Sequence, residues 1–558
     1  MARIFTILDF SGPVAHAFSV VGAWTTRFSV RLQYPRVLRM PVRGKKDLLS
    51  KISSQAEHCY LIAAVAFVYF LLFTHFFIPI FLPGDVTLCL LDATRMLRGQ
   101  VIYREFFQIT FPGSELVYFA FSRLFGPREW IPNTLLLLLG LGLTWISIAI
   151  SRKVMRGWLP FLTGLLFLTC SLYNARDATH HWFSVLAVMA TVPVVIERRS
   201  PRRLAVAGML CGLASFFTQS RGVFALLGFV TFLVWEYRRQ GQHFSHLLRS
   251  EAFLIGTFFV TVVFTNAYFI WKAGLTRFLY CTVVFVMRYY PAHSPADNLN
   301  VYLLSPPQLL TWRGLPWVLV YLFVHVLVPF VYLLFFMRYR QESSRHPEYP
   351  WDRLMLLNLT GLFLFFGVAS APSFFRLCTV SLPALILFVW FLSYPGVLEK
   401  VLRTSLWAFA LMLAVAEPLR VQKHLTPCLD TPSGRVAFSA ADLYERYRWI
   451  RNHTQPSEFF YQADWADTYF VLGLRNPTPM SFITRSDYTR PEQVQDVMRA
   501  LDEQPPRLVL WSVGLDYPWF DSSEADHLSP LRAYLRSHYR VLGVLPNGDQ
   551  VWERKEQR

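Results

Sequence analysis

Apolar residues in this chain gather into long runs separated by short basic loops, and that rhythm predicts helices that cross a bilayer. Two runs are unambiguous: 131–150 (IPNTLLLLLGLGLTWISIAI) carries no charge, and 315–337 (LPWVLVYLFVHVLVPFVYLLFFM) is its equal. About 20 apolar residues rising 1.5 Å each span a hydrocarbon core of roughly 30 Å. Backbone groups in lipid must be satisfied within their own segment, so such runs are helical. Eleven segments are read as spans: 59–82, 131–150, 157–173, 182–196, 204–218, 222–236, 252–271, 315–337, 353–370, 377–395 and 404–419.

The loops between them set the orientation. Nine Lys/Arg precede residue 52, and further basic clusters stand at Arg152/Lys153/Arg156, Arg198/Arg199/Arg202/Arg203, Arg238/Arg239/Arg249 and Arg338/Arg340/Arg345/Arg353. Cytoplasmic loops are enriched in Lys and Arg. With these clusters inside, 83–112, 174–181, 219–221, 272–314, 371–376 and everything after 420 face outward. The apolar stretch 114–126 does not fit the alternation: if it crosses, another span is misplaced, and if not, it lies in the interface. Residues 1–56 read as a basic cytoplasmic tail, 57–419 as the membrane domain.

Beyond residue 420 the apolar runs shorten and charges rise. Helical patterns at 439–452 and 492–504 alternate with strand-like runs at 457–462 and 507–513. The segment VLGVLPNGDQVWE predicts a final hairpin turning at Asn547-Gly548. The expected fold class is therefore an all-α polytopic bundle of about 11–13 transmembrane helices with an outer C-terminal α/β domain, 420–558.

Composition agrees. Of 558 residues 54% are hydrophobic and 16% charged, with 50 Phe, 17 Trp and 25 Tyr, where a soluble chain carries about 25% charged residues. The net charge of +18 sits in the inter-span loops, which argues against nucleic acid as its partner. Seven cysteines show no CxxC and fall mostly in apolar runs, so neither a disulfide framework nor a metal ribbon is expected. No GxGxxG, P-loop, HExxH or GxSxG occurs.

The first outer loop, LPGDVTLCLLDATRMLRGQVIYREFFQITFPGSE, is the most informative stretch. Pro83-Gly84 ends the first span, and 86–98 form a short helix closed by Gly99. Asp85 and Asp92 share one face of it. Glu105 follows inside an aromatic run with Tyr103. Acids just outside a span suit sugar transfer, where a carboxylate removes a hydroxyl proton or holds a divalent ion, Mg2+ or Mn2+, against a donor phosphate. Structural alternatives stand beside this: Asp85 occupies a position suited to a helix N-cap, and Asp92 has Arg95 three residues on.

This loop resembles the first-loop signature of polytopic glycosyltransferases that use polyprenyl-phosphate sugars, the GT-C superfamily, which includes dolichyl-phosphate-mannose-dependent protein mannosyltransferases and lipid-A-modifying transferases. The pattern is an acid after the first helix, a helix ending Leu-x-Gly, then Tyr-x-Asp-Phe and Pro-Pro-Gly. Here it reads Asp85, Leu97-Arg98-Gly99, Tyr103-Arg104-Glu105-Phe106 and Phe111-Pro112-Gly113, with Glu for the second acid and Phe for the first Pro. The resemblance implies Asp85 as general base or metal contact and Glu105 as the second acid.

Three further outer turns carry candidates. SLYNARDATHHWF groups Arg176, Asp177, His180 and His181 at a membrane boundary, where ionisable residues are functional candidates; the alternative is an Arg176–Asp177 ion pair with interfacial histidines. FFTQSRGVF places Gln219 and Arg221 where the resemblance implies a donor-phosphate contact, against a snorkelling Arg as the plain alternative. SAPSFFRLCTVSLPALILF offers Arg376 and Pro383 in a pattern similar to the family's lipid-phosphate site. The long loop 272–314 suits a lid or binding role, and its aromatics suit a membrane belt.

The expected activity is transfer of a hexosyl or pentosyl group from a polyprenyl-phosphate donor to a glycan, lipid or protein acceptor, outside a bacterial inner membrane. Two rivals belong to other classes. A lipid-linked oligosaccharide flippase should carry charges near the midplane in matched halves. A non-catalytic envelope-assembly scaffold should be indifferent to loss of Asp85 and Glu105.

Overall fold

The computed structural model describes residues 43–241, 243–290, 314–369, 372–485, 488–516 and 526–556. Two compact units result, Met1–His58 and Cys59–Arg558. The first is described only where the helix Arg43–Leu72 begins, and most of the expected cytoplasmic tail lies outside the described residues. The second unit holds the membrane helices and the C-terminal domain.

Each of the eleven expected spans overlaps a helix, or a pair of helices, among the described residues. Six are long and apolar enough to cross a bilayer by length and composition: Gln55–Leu72, Trp130–Val154, Gln219–Gln240, Phe244–Ala273, Leu315–Glu342 and Val397–Lys423. Phe374–Val380 and Leu382–Phe391 make a pair bent by 67°, and Leu159–Leu172 and His180–Val195 are shorter apolar helices. Pro201–Phe217 and Trp351–Phe366 complete the set. The chain is a multi-span membrane protein.

Close helix approach depends on small residues, since lipid supplies no hydrophobic drive between helices. Gly208 and Gly212, four apart on Pro201–Phe217, face Phe244–Ala273: a Cβ on Gly208 would lie 2.1 Å from the Leu254 carbonyl oxygen. Any side chain there would push the pair apart.

One expectation about the first loop is corrected, and the stretch left open beside it takes a definite form. The first span ends at Leu72, not at 82. Residues 73–81 are apolar, yet they leave the helix to meet the C-terminal domain: Ala437 N–H donates to Pro79 O at 3.0 Å and Phe81 N–H to Ala437 O at 2.8 Å. The stretch 114–126 is the helix Gly113–Phe125. Thirteen residues rise about 20 Å, short of the roughly 30 Å of hydrocarbon.

The C-terminal domain is α/β. Strands β1 (Leu429–Thr431) and β2 (Gly434–Val436) form a small antiparallel ribbon. Strands β3 (Phe460–Gln462), β4 (Leu508–Trp511), β5 (Tyr539–Val544) and β6 (Gln550–Arg554) form a sheet in the order β3-β4-β6-β5. β3 and β4 run parallel, the others antiparallel. Their connection carries the helix Pro491–Glu503, whose buried Val494, Val497 and Leu501 repeat at helical spacing. The expected hairpin is β5–β6, and Gly548 at φ 89° supplies the left-handed turn residue.

This domain sits on the loop after the first span as a continuous core. Ile102, Tyr103, Phe106 and Phe107 pack in one apolar cluster with Phe269, Phe278 and Phe285 of the membrane domain and Tyr461, Trp511 and Leu531 of the sheet domain. Phe81 and Leu91 join a second cluster with Phe438, Tyr447 and Leu510. The loop is thus held from both sides.

Candidate active site

The helix Asp85–Leu97 starts one residue earlier than expected. Gly84 is its N-cap, at φ 104°, and Asp85 is its first helical residue; the capping alternative for Asp85 is therefore corrected. A carboxylate in the first turn is favoured by the helix dipole. Trp465 of the C-terminal domain donates its indole N–H to Gly84 O at 3.2 Å and to Thr87 Oγ1 at 3.1 Å, fixing the turn that presents Asp85. The Asp85 side chain is 35% exposed.

Around it stand Asp177, from the connection before the helix His180–Val195, and His180 and His181 at that helix's start. Asp177 is buried, takes the Thr179 hydroxyl at 2.7 Å and accepts from the Val86 backbone N–H, so it caps Asp85's own helix from outside. Burial, and then the nearby Asp85 charge, push the Asp177 carboxyl well above the usual carboxylate range. Two acids in opposite surroundings result: Asp177 buried, Asp85 open to solvent. His181 Nε2 stands 3.7 Å from Asp85 Oδ2.

Arg221, 1% exposed, lies behind His181. Its guanidinium donates to His181 O at 2.5 Å, to His181 Nδ1 at 2.9 Å, to Thr379 Oγ1 at 2.8 Å and to Ser184 Oγ at 3.3 Å. Arg376 approaches from the bent pair, where Ser373 caps the helix by accepting from Arg376 N–H at 3.4 Å. Half-buried, it donates to the Tyr290 hydroxyl at 2.7 Å and lies within electrostatic reach of His180 and His181. Tyr290 neighbours Tyr488, whose ring centroid is 6.5 Å away and which feels the Asp85 charge.

The other sequence candidates sit elsewhere. Glu105 folds back on its own turn, accepting from Val101 N–H at 2.6 Å and meeting Arg104 at 3.0 Å. Tyr103 is buried at φ 68° with its hydroxyl donating to Thr110 O at 2.5 Å. Both shape the loop. Gln219 braces it, donating to Ile109 O at 2.9 Å and Thr282 O at 3.4 Å. Arg176 parts from Asp177, against the ion-pair alternative: it lies over the Tyr173 ring in the field of Glu417 and Arg420. Gly113 is needed for contact, since a Cβ there would stand 2.6 Å from Phe216 O.

Asp92, fully buried, accepts from Ser481 Oγ at 3.1 Å and from Gln108 Nε2 at 3.0 Å, while Arg95 donates to Thr478 O at 2.9 Å. It thus pins the loop helix to the C-terminal domain. The same Gln108 amide reaches Glu115 Oε1 at 3.2 Å, and the other Glu115 oxygen has no hydrogen bond among the described residues. Burial, reinforced by Asp92, lifts the Glu115 carboxyl from 4.5 to about 8. Between those values the unfolded chain releases a proton that the folded one keeps, so stability falls as pH rises through the window and levels off above about 8. Glu115→Gln should flatten the decline of the melting temperature between pH 5 and 8, removing a penalty on the order of a few kcal/mol.

Asp85, His180 and His181 bring one potential ligand atom each within 4.8 Å of one another, a set that could be tried for a divalent ion. Sequence reasoning missed Trp465, Tyr488, Tyr290, Ser481 and Glu115. Glu115 alone left a signal, as an acid opening the apolar stretch that fitted no span.

Among solved structures, the fold matches ArnT from Cupriavidus metallidurans. The crystal structure of that protein bound to undecaprenyl phosphate aligns with a TM-score of 0.53 at 11% identity, covering 91% of this chain and 99% of that one. The apo structure aligns at 0.54 and 11%, covering 90% and 98%. No family model and no curated protein matches the sequence. The expected helical membrane domain followed by a C-terminal α/β domain is the fold found, and it is shared with ArnT.

Proposed function

We propose that the chain is a membrane glycosyltransferase that takes a sugar from a polyprenyl-phosphate donor on the extracytoplasmic face, with Asp85 as the base. The observation that carries this reading is Asp85 itself: a carboxylate about a third exposed, held at a helix start beside buried Asp177, His181 and Arg221. The fold supports it, since ArnT of the same fold holds undecaprenyl phosphate in its crystal structure.

In this mechanism Asp85 takes the proton of the acceptor hydroxyl as that oxygen bonds to the anomeric carbon. The bond from that carbon to the phosphate oxygen breaks with inversion, and the lipid phosphate keeps the electron pair. Arg376, with its tyrosine partner, is the cation suited to the leaving phosphate. Arg221 has committed its donors to His181, Thr379 and Ser184, so its part is support. Glu105 serves the loop turn, and Arg176 serves the separate cluster around Tyr173. The C-terminal domain, outside by the same topology, holds the catalytic loop in shape. The proposed setting is a bacterial inner membrane.

The test is incubation of the purified protein in nanodiscs with a panel of radiolabelled undecaprenyl-phosphate sugars and envelope acceptors. Transfer or release of one sugar is expected. Absence of turnover from every donor, with a folded protein, would sink the reading. Movement of labelled donor across proteoliposomes would then favour a flippase, and its absence a scaffold.

A further inference from the structure

We propose that Arg221 locks His181 into the tautomer protonated at Nε2, making it a fixed neutral hydrogen-bond donor facing Asp85 rather than a metal ligand. A guanidinium only donates hydrogen bonds. With Arg221 Nη2 at 2.9 Å, His181 Nδ1 must present its lone pair. A neutral imidazole has one N–H, which is then at Nε2.

The lock has more than one bolt. Arg221 Nη1 also holds the His181 backbone oxygen at 2.5 Å, so both ends of one residue are tied to one guanidinium. Thr379, which accepts from Nη2, gives its own proton to Arg376 O at 2.7 Å and is committed as an acceptor toward Arg221. Phe375 packs edge-on against the ring at 5.0 Å, and the His180 ring lies 4.0 Å away. A second proton at Nδ1 would point at the Arg221 N–H.

The geometry therefore disagrees with the three-residue metal set. Nε2 is the His181 atom that faces Asp85, and it has no lone pair to give unless the ring becomes an imidazolate or leaves Arg221. Without it the set falls to Asp85 and His180, fewer than the three protein ligands of a catalytic zinc site. His181 is instead a positioning residue. At 3.7 Å its N–H is just short of a hydrogen bond to Asp85 Oδ2, so a small approach lets it aim that carboxylate. What this does for sugar transfer rests on the proposed transferase function; the tautomer does not.

The experiment uses the full chain in nanodiscs with ring-15N histidine and solid-state NMR. The His181 signals are assigned by difference against His181→Gln, with His181→Asn as the second assignment variant. A neutral Nε2–H pair, unchanged from pH 6 to 8 and by Zn2+, is expected. An Nδ1–H tautomer, an imidazolium or a zinc-shifted His181 nitrogen would overturn the proposal. Zn2+ titration of the wild type and His181→Gln should agree within twofold, and binding more than tenfold weaker in the variant would also overturn it. His181→Gln retains an N–H donor and should keep more turnover than His181→Ala. The expected tautomer in a protein that transfers no sugar leaves the lock standing and removes the transferase reading. Turnover with an imidazolium at 181 does the reverse.

Discussion

Replacing Asp85 by Asn is expected to lower the rate of sugar transfer by roughly a hundred- to ten-thousand-fold, the range for loss of a general base. The amide keeps the shape and a carbonyl that His181 Nε2–H can reach, but it cannot take a proton. Asp177 is poorly placed to substitute, because it is buried, capped by Val86 N–H and Thr179, and pushed toward its protonated form. Donor binding should change little, so the loss appears in kcat with KM for the donor nearly constant. Single-turnover assays on folded Asp85→Asn check this. An unchanged rate would return Asp85 to a structural part of the loop, and Glu105→Gln, expected to stay within tenfold of wild type, is the companion measurement.

The second large effect concerns stability. Arg446 pairs with Asp467 and lies 3.7 Å from Asp549, with the acids 8% and 4% exposed. Asp467 is tied further to Gln462 Nε2 at 2.8 Å, and Asp549 to Asn547 Nδ2 at 2.7 Å. Breaking a buried ion pair from one side leaves uncompensated charge, which costs about 3–5 kcal/mol. Arg446→Met should therefore raise the rate of proteolysis within 420–558 by at least roughly a hundredfold where cleavage follows opening. Adding Asp467→Asn should recover part of the loss. Equal proteolysis in wild type and Arg446→Met would mean that water already compensates these acids.

The membrane helices were legible because length and apolarity alone decide a crossing. The first span was overdrawn because FTHFFIPIFLP is apolar enough for lipid, but its backbone pairs with Ala437, hundreds of residues on. The α/β domain was legible in its helices and its hairpin, whose periods are local. The site was half legible. Asp85, Asp177, His180, His181, Arg221 and Arg376 do converge, because each stands at or near a helix end and the bundle gathers these ends. Glu105 and Tyr103 share the motif and serve the turn, while adjacent Arg176 and Asp177 point into different clusters. For Asp92 the local partner Arg95 was the reasonable choice by spacing, and Ser481 and Gln108 took its oxygens instead. Nothing local announces Trp465 or Tyr488, since their partners lie far along the chain.

Trp465, Ser481 and the Thr478 carbonyl all grip the helix that begins at Asp85. During biosynthesis that helix leaves the ribosome long before its grips are made. A nascent chain holds the acid but lacks the hands that steady it, and the clamp forms only once residues 465–481 have been translated. Order of synthesis thus delays the bracing of this loop until most of the molecule is made, and a chain terminated before residue 465 would carry the acid in a loop without its brace.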